Sequence, residues 1–150
     1  MSSINLRCAK LIDANNVYLI DQEYEHERYS LDMVKTSIED DKYYNVILSV
    51  DGIDVGYLSA TMVSDECELI KIVVRKSFRG KGYGKILMND LFRECRKRCV
   101  KKIFLEVREN NSMAKSLYEN CGLKRTHTRK GYYEGIDADI YWCEIDDKND

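Results

Sequence analysis

Two side chains in this chain have the type and setting for proton transfer. One is Glu106, in the run Leu105-Glu-Val-Arg108; the other is Tyr118, in the segment that follows. A carboxylate can take a proton from an incoming nucleophile, and a phenol can donate a proton or a hydrogen bond to a leaving group. Ile103, Leu105 and Val107 alternate with Phe104, Glu106 and Arg108, the period of a half-buried strand, which puts Glu106 on a solvent face or in a site. Asn110 or Asn111 suits the N-cap of the next helix. Met113, Ala114, Leu117, Tyr118 and Cys121 form its apolar stripe, and Gly122 suits its C-terminal stop. On spacing alone Tyr118 reads first as a core aromatic.

A second constellation precedes this one. Glu68-Leu-Ile-Lys-Ile-Val-Val74 alternates as a strand and runs into Arg79-Gly-Lys-Gly-Tyr-Gly84. Ile86, Leu87, Leu91, Phe92 and Cys95 then share a helical face. Strand, glycine turn and helix N-terminus together present free N–H groups and a positive dipole end to an anion. The glycines let the backbone approach a ligand closely, and Arg79 adds a positive charge at the mouth. A nucleotide P-loop is excluded: Gly80 to Gly84-Lys85 is one residue short and Ile86 stands where the Mg²⁺-binding hydroxyl belongs. The G-x-G-x-G spacing also departs from the dinucleotide G-x-G-x-x-G.

What remains, Arg-x-x-Gly-x-Gly over residues 79–84, resembles the coenzyme A signature of the GNAT acetyltransferase superfamily. The stretch Leu105-Glu-Val-Arg-x-x-Asn111-x-x-Ala114-x-x-Leu117-Tyr118-x-x-x-Gly122-Leu123 resembles the RimI-type N-terminal protein acetyltransferases within it. Val50-Asp-Gly-Ile53, Asp65-Glu66, Arg129-Lys-Gly-Tyr132-Tyr133 and Asp137-Ala138 extend the likeness over roughly residues 44–145. The chain departs from the family at three places. It has no proline, so Lys76 stands after the central strand; Leu123 replaces the usual Phe; and Lys71 replaces the Asn of bacterial RimI-type chains.

The resemblance implies acetyl-coenzyme A as cosubstrate, no metal, and a protein N-terminus as acceptor, with a ribosomal protein among the candidates. It implies that Glu106 is the base, acting through water, and that Tyr118 serves the departing thiolate. Ile72, Val73 and Val74 would line the pantetheine arm, with backbone amides on the thioester oxygen. Arg79, Gly80, Lys81, Gly82, Tyr83 and Gly84 would cradle the pyrophosphate, and Asn111 would contact the pantetheine side. Tyr24, Tyr29, Tyr132 and Tyr133 are candidates for peptide-binding loops, each equally accounted for by packing. Two other readings stay open. A GNAT acting on a polyamine or aminoglycoside could use an acidic pocket from Glu23, Glu25, Glu27, Asp40 and Asp41; a coenzyme A-binding module would bind without turnover.

The elements that must position these groups follow from pattern. Expected are a strand at Ile4–Ala9, a helix near Asp13–Gln22, and a helix from N-cap Ser30 to about Asp40. A hairpin follows, Tyr44–Val50 and Ile53–Val63 about Asp51-Gly52. Then come strand 67–75, helix 83–99, strand 102–108, helix 112–121, and strands 124–132 and 138–145. This order predicts an α/β GNAT fold: a mixed, mostly antiparallel sheet with about four helices. Strands 67–75 and 102–108 should be parallel neighbours that splay apart, with ligands at their carboxyl ends.

The 150 residues suit one domain over 1–145, with an acidic tail, Asp146–Asp150, read as disordered. A net charge of −2 supplies no basic field for nucleic acid. The basic stretch from Arg93 to Lys102 reads as a solvated helix end, with contact to a coenzyme 3′-phosphate or a ribosome as the alternative. Six cysteines without a C-x-x-C pair fit a reducing cytoplasm, and Cys95 and Cys99 lack the histidine partner a metal site needs. No signal peptide or membrane-length apolar run is visible.

Overall fold

A computed structural model describes residues 2–145, so the Asp146–Asp150 tail lies outside the described residues. Seven strands form one sheet: β1 (Ile4–Cys8), β2 (Tyr43–Val50), β3 (Ile53–Val63), β4 (Glu66–Val74), β5 (Lys102–Arg108), β6 (Lys124–Tyr133) and β7 (Ile136–Glu144). Their order is β1-β2-β3-β4-β5-β7-β6, antiparallel except for β4 and β5. Helices α1 (Ala14–Asp21) and α2 (Leu31–Glu39) cover one face, and α3 (Tyr83–Lys97) and α4 (Ser112–Asn120) the other. This is the expected mixed sheet with four helices among the described residues.

Element ends differ from expectation by a residue or two, for local reasons. A 3-10 turn, Leu11–Asp13, precedes α1. Ser30 caps α2 by accepting from the Met33 amide. Helix α3 stops at Lys97, because Cys99 takes a left-handed backbone (φ 59) and the chain reverses into β5. Where the family has proline, Lys76–Phe78 form a 3-10 turn, closed by a Phe78 amide bond to the Arg75 carbonyl.

Two irregularities shape the site. The β4–β5 pairing runs only from Glu66/Lys102 to Glu68/Phe104. Beyond that, β4 stays with β3 as far as Val74/Gly56, and β5 stays with β7 as far as Arg108/Ala138. Each strand keeps its outer partner, so the sheet forks between them. The second irregularity is a β-bulge in β4: Lys71 pairs with Ser59 and Leu69 with Ala60, leaving Ile70 unmatched. The bulge reverses the alternation. Cys67 and Leu69 point into the core under α3 and α4, with Leu87, Met88 and Leu91. Past the bulge Val73 belongs to the opposite core, with Val17, Ile20, Ile47 and Tyr57.

Candidate active site

The fork opens into a cavity of about 500 Å³ bounded by β4, the glycine loop, the start of α3 and α4. Its lining includes Ile72, Val73, Val74, Arg79, Gly80, Gly82, Tyr83, Gly84, Asn111 and Tyr118. Lys81 is not among the lining residues. Val73 buries its side chain in the opposite core, which leaves its backbone to the fork.

Three glycines serve three purposes. Gly80 and Gly82 have positive φ (78° and 85°), and Gly82 is the N-cap of α3. The first helical bond runs from the Ile86 amide to the Gly82 carbonyl, so the amides of Tyr83, Gly84 and Lys85 point free into the cavity mouth. Gly84 lies within the helix. A Cβ there would sit 3.2 Å from Leu117 Cδ2, so glycine allows α3 and α4 to pack closely.

Arg79 does not offer a free charge at the mouth. Its guanidinium donates to the Val74 carbonyl (2.8 Å), Glu25 (2.7 Å) and the Glu23 carbonyl (3.1 Å). What the mouth presents to an anion is backbone amides, the positive end of the α3 dipole and Lys85, which lines the cavity.

A second, smaller cavity of about 60 Å³ adjoins the first. Glu106, Lys71, Arg108, Glu27, His26 and Tyr133 line it, while Tyr24, Ile72, Asn111, Ala114 and Tyr118 line both. These five are the partition between the two spaces. Tyr118 is 8 % exposed, and burial raises its hydroxyl's pKa well above the ordinary tyrosine value. Glu106 is held by Arg129 from β6 (2.5 Å), a partner 23 residues away in the chain that no local pattern pairs with it. Asn111 caps α4, accepting from the Ala114 amide (3.2 Å), and reaches the partition through that role.

The tyrosine candidates divide. Tyr24 and Tyr133 line the small cavity. Tyr133 is raised to about 12 by burial, with Glu106 adding to it. Tyr29 lines neither space; its ring lies against the Lys71 ammonium, 3.7 Å from ring centre to Nζ. Tyr132 is half exposed and stacks on Arg129.

Lys71, Glu68 and Arg108 were not among the candidate site residues. Lys71 is 5 % exposed and pairs with the fully buried Asp21 (2.9 Å); desolvation lowers its pKa. Glu68 stands at the last paired position before the fork, and burial, with Glu106 nearby, raises its pKa. Arg108 binds Glu27 (2.6 Å) and stacks on Tyr133. Lys71 had two sequence signals: an ammonium amid the apolar run Leu69–Val74, and its place where bacterial RimI-type chains carry Asn.

Several of the other charged groups singled out in the sequence have structural partners. Glu23 binds Arg75, Glu25 binds Arg79 and Glu27 binds Arg108, while Asp40 caps the Lys42 amide. In the basic stretch Arg93 meets Asp90, Arg98 meets Glu94, and Lys102 lies over the Trp142 ring. Cys95 is buried and Cys99 exposed; among the described residues no three His, Cys, Asp or Glu side chains gather as a metal-binding group. No helix among them is long and apolar enough to cross a membrane.

A fork between parallel strands, with a helix N-terminus at one end and a carboxylate–phenol pair at the other, is the architecture of an N-acyltransferase. The sequence pattern of the acetyltransferase (GNAT) family matches residues 11–123, and the chain belongs to that family. It is 27 % identical over 145 residues to a putative ribosomal protein bS18-alanine N-acetyltransferase of Bacillus subtilis, covering 95 % of this chain and 96 % of that protein. The bS18-alanine N-acetyltransferase of Haemophilus influenzae is 31 % identical over 121 residues, 81 % of this chain and 82 % of its own length. The crystal structure of the ribosomal-protein-S18-alanine N-acetyltransferase from Escherichia coli superposes with a TM-score of 0.88 at 28 % identity, covering 95 % of this chain and 94 % of that one.

Proposed function

We propose that this GNAT enzyme transfers the acetyl group of acetyl-coenzyme A to the α-amine at a protein N-terminus, with a ribosomal protein in the class of its relatives' bS18 as the first acceptor to test. The observation that carries the reading is the pair of adjoining cavities that share Tyr118 and Ile72 as their partition. The larger, with free helix amides at its mouth, suits a long thioester ending in phosphates. The smaller, with Glu106, suits an amine.

In this reading the neutral amine attacks the thioester carbonyl, its proton leaves toward Glu106, and the thiolate departs toward Tyr118. An α-amine with pKa near 8 is roughly a tenth neutral at pH 7, whereas a lysine near 10.4 is only about 0.04 % neutral, so one carboxylate serves the former more readily. A phenol near 10 is already a weaker acid than a thiol near 8.5, by roughly 2 kcal/mol. Burial weakens Tyr118 further as an acid, so its part is a hydrogen bond to the departing sulfur more than a full proton transfer.

Two features favour a peptide N-terminus over a polyamine. Of the acidic side chains that could have drawn a polycation, Glu23, Glu25 and Glu27 are paired with Arg75, Arg79 and Arg108. The small cavity, about 60 Å³ beside about 500 Å³ for its neighbour, is narrow, which suits a chain end with a small first side chain. The deciding experiment offers acetyl-coenzyme A with peptides beginning Ala, Ser, Leu or Glu, an N-blocked peptide with an internal lysine, spermidine and an aminoglycoside. Turnover of the Ala or Ser peptide above all others supports the proposal. Preference for the lysine peptide or a small amine overturns the acceptor assignment, and coenzyme binding without turnover of any acceptor overturns the enzyme reading of the site.

A further inference from the structure

The segment between α1 and α2, residues 22–30, forms the wall of both cavities through Tyr24, Glu25, His26 and Glu27. It is tied down by four cations, one of them Arg108 on β5, which binds the Glu27 carboxylate (2.6 Å). Its first half is held by exposed or half-exposed cations at the end of β4: Arg75 on Glu23, and Arg79 on Glu25 and the Glu23 carbonyl. Its second half is held from inside. Lys71 Nζ donates to Asp21 Oδ1 (2.9 Å) and to the Glu27 carbonyl (2.5 Å), and lies 3.7 Å from the Tyr29 ring centre and 4.8 Å from that of Tyr24. Asp21 Oδ1 also accepts from the Tyr57 hydroxyl (2.5 Å), and its Oδ2 accepts from the Tyr29 amide (2.6 Å). The buried ion pair thus joins the end of α1 at Asp21 to the Glu27 carbonyl and the Tyr29 amide, while Arg108 holds the Glu27 carboxylate from β5.

The bulge at Ile70 is what makes this possible. Without it Lys71 would share the face of Leu69, in the core under α3 and α4. With it the ammonium meets Asp21 at the end of α1 while still lining the small cavity. An ion pair this deeply buried is a weak source of net stability compared with apolar side chains of the same size, so its worth lies in the one arrangement it enforces.

We propose that Lys71 is a positioning residue for the acceptor: through Asp21 and the Glu27 carbonyl it holds residues 26–29 in the shape that forms the acceptor wall. It therefore governs how well the amine is bound, and governs neither coenzyme binding nor the acetyl-transfer step. The division follows from the two sets of ties, since the cofactor side of the segment has its own anchors in Arg75 and Arg79.

The test compares the parent with Lys71→Met and with the double variant Asp21→Asn, Lys71→Met, which removes both buried charges together. It rests on the fork being the amine site but not on the kind of amine, because the acceptor used is whichever one the parent turns over. A KM for the acceptor raised about tenfold or more, with kcat and the KM for acetyl-coenzyme A within about threefold of the parent, is the expected split. Folded variants with an unchanged acceptor KM, or with kcat falling alone, overturn the proposal. Hydrogen exchange on the parent gives an independent reading should either variant fail to fold. The Tyr29 amide, which donates to Asp21, should exchange as slowly as the central amides of β4. A Tyr29 amide that exchanges as fast as a surface loop means that the tether does not hold, and the proposal falls.

Discussion

At the scale of single residues, the site turns on two groups held in opposite ways. Glu106 is gripped by Arg129 and faces the small cavity, while Tyr118 is buried in the partition. Glu106→Gln keeps the shape and removes the proton acceptor. Peptide turnover should fall by roughly 10²-fold or more, the range of general-base catalysis. The deficit should shrink above about pH 8, where an α-amine arrives already neutral. A parallel pH–rate profile checks this, and a deficit that stays level from about pH 6 to 9.5 counts against the role. Tyr118→Phe keeps the ring against Tyr141 and removes the hydroxyl. Turnover should drop while acetyl-coenzyme A affinity, read by calorimetry, barely changes; parent-like turnover in single-turnover conditions would take Tyr118 out of the chemistry.

At the scale of elements, the glycine loop and the β3–β4 pair do separate work. Gly82 has no heavy atom within 4 Å of a would-be Cβ, so bulk there meets open space, yet its φ of 85° excludes a β-branched residue. Gly82→Val forces the turn out of the left-handed region, at a cost of about 1–2 kcal/mol, and swings the α3 amides away. Acetyl-coenzyme A affinity should fall strongly with the circular dichroism of the fold retained; unchanged affinity would reduce the loop to a turn. Gly56 on β3 differs, because a Cβ there would meet the Val73 carbonyl at 2.9 Å, a backbone atom that cannot step aside. Gly56→Ala should lower stability by about 1–3 kcal/mol, seen as a shifted urea midpoint at constant slope.

At the scale of the molecule, the β1 edge is joined to the central strands by charge. Arg7 on β1 forms a two-pronged bond to Asp54 on β3 (2.9 Å each), and Ser49 and Asn16 also donate to Asp54. These donors, Arg7 first, pull the Asp54 carboxyl down to about 2. A carboxyl lowered on folding stabilises the native state above its unfolded pKa of about 3.9, and that share is lost as pH falls through the folded value. Parent stability should therefore decline between about pH 4 and pH 2, and Asp54→Asn should flatten that decline. Urea midpoints of both proteins across that window are the measurement; identical slopes would show that Asp54 is not a source of the acid sensitivity.

The local grammar of the chain was enough for its elements. Period-two runs, the Ser30 and Asn111 caps, the Asp51-Gly52 turn and the glycine loop each act through neighbours in sequence, so strands and helices, and most residues that line the larger cavity, could be read from spacing and likeness. The parallel pairing of β4 and β5 was also legible, because a helical crossover between neighbouring strands leaves them parallel, and the family likeness added that they splay apart. What only the tertiary structure decided is who meets whom across the fork. Arg129 reaches Glu106, Arg79 is spent on Glu23 and Glu25, and Lys71 finds Asp21 only because one bulge turns it to the other face of the sheet. Such pairings join residues far apart in the chain, and a one-residue change of register moves each side chain to the opposite face. The order of residues does not display that register, so the candidate residues of the site could be singled out from the sequence, while their partners and the walls of the two cavities had to wait for the fold.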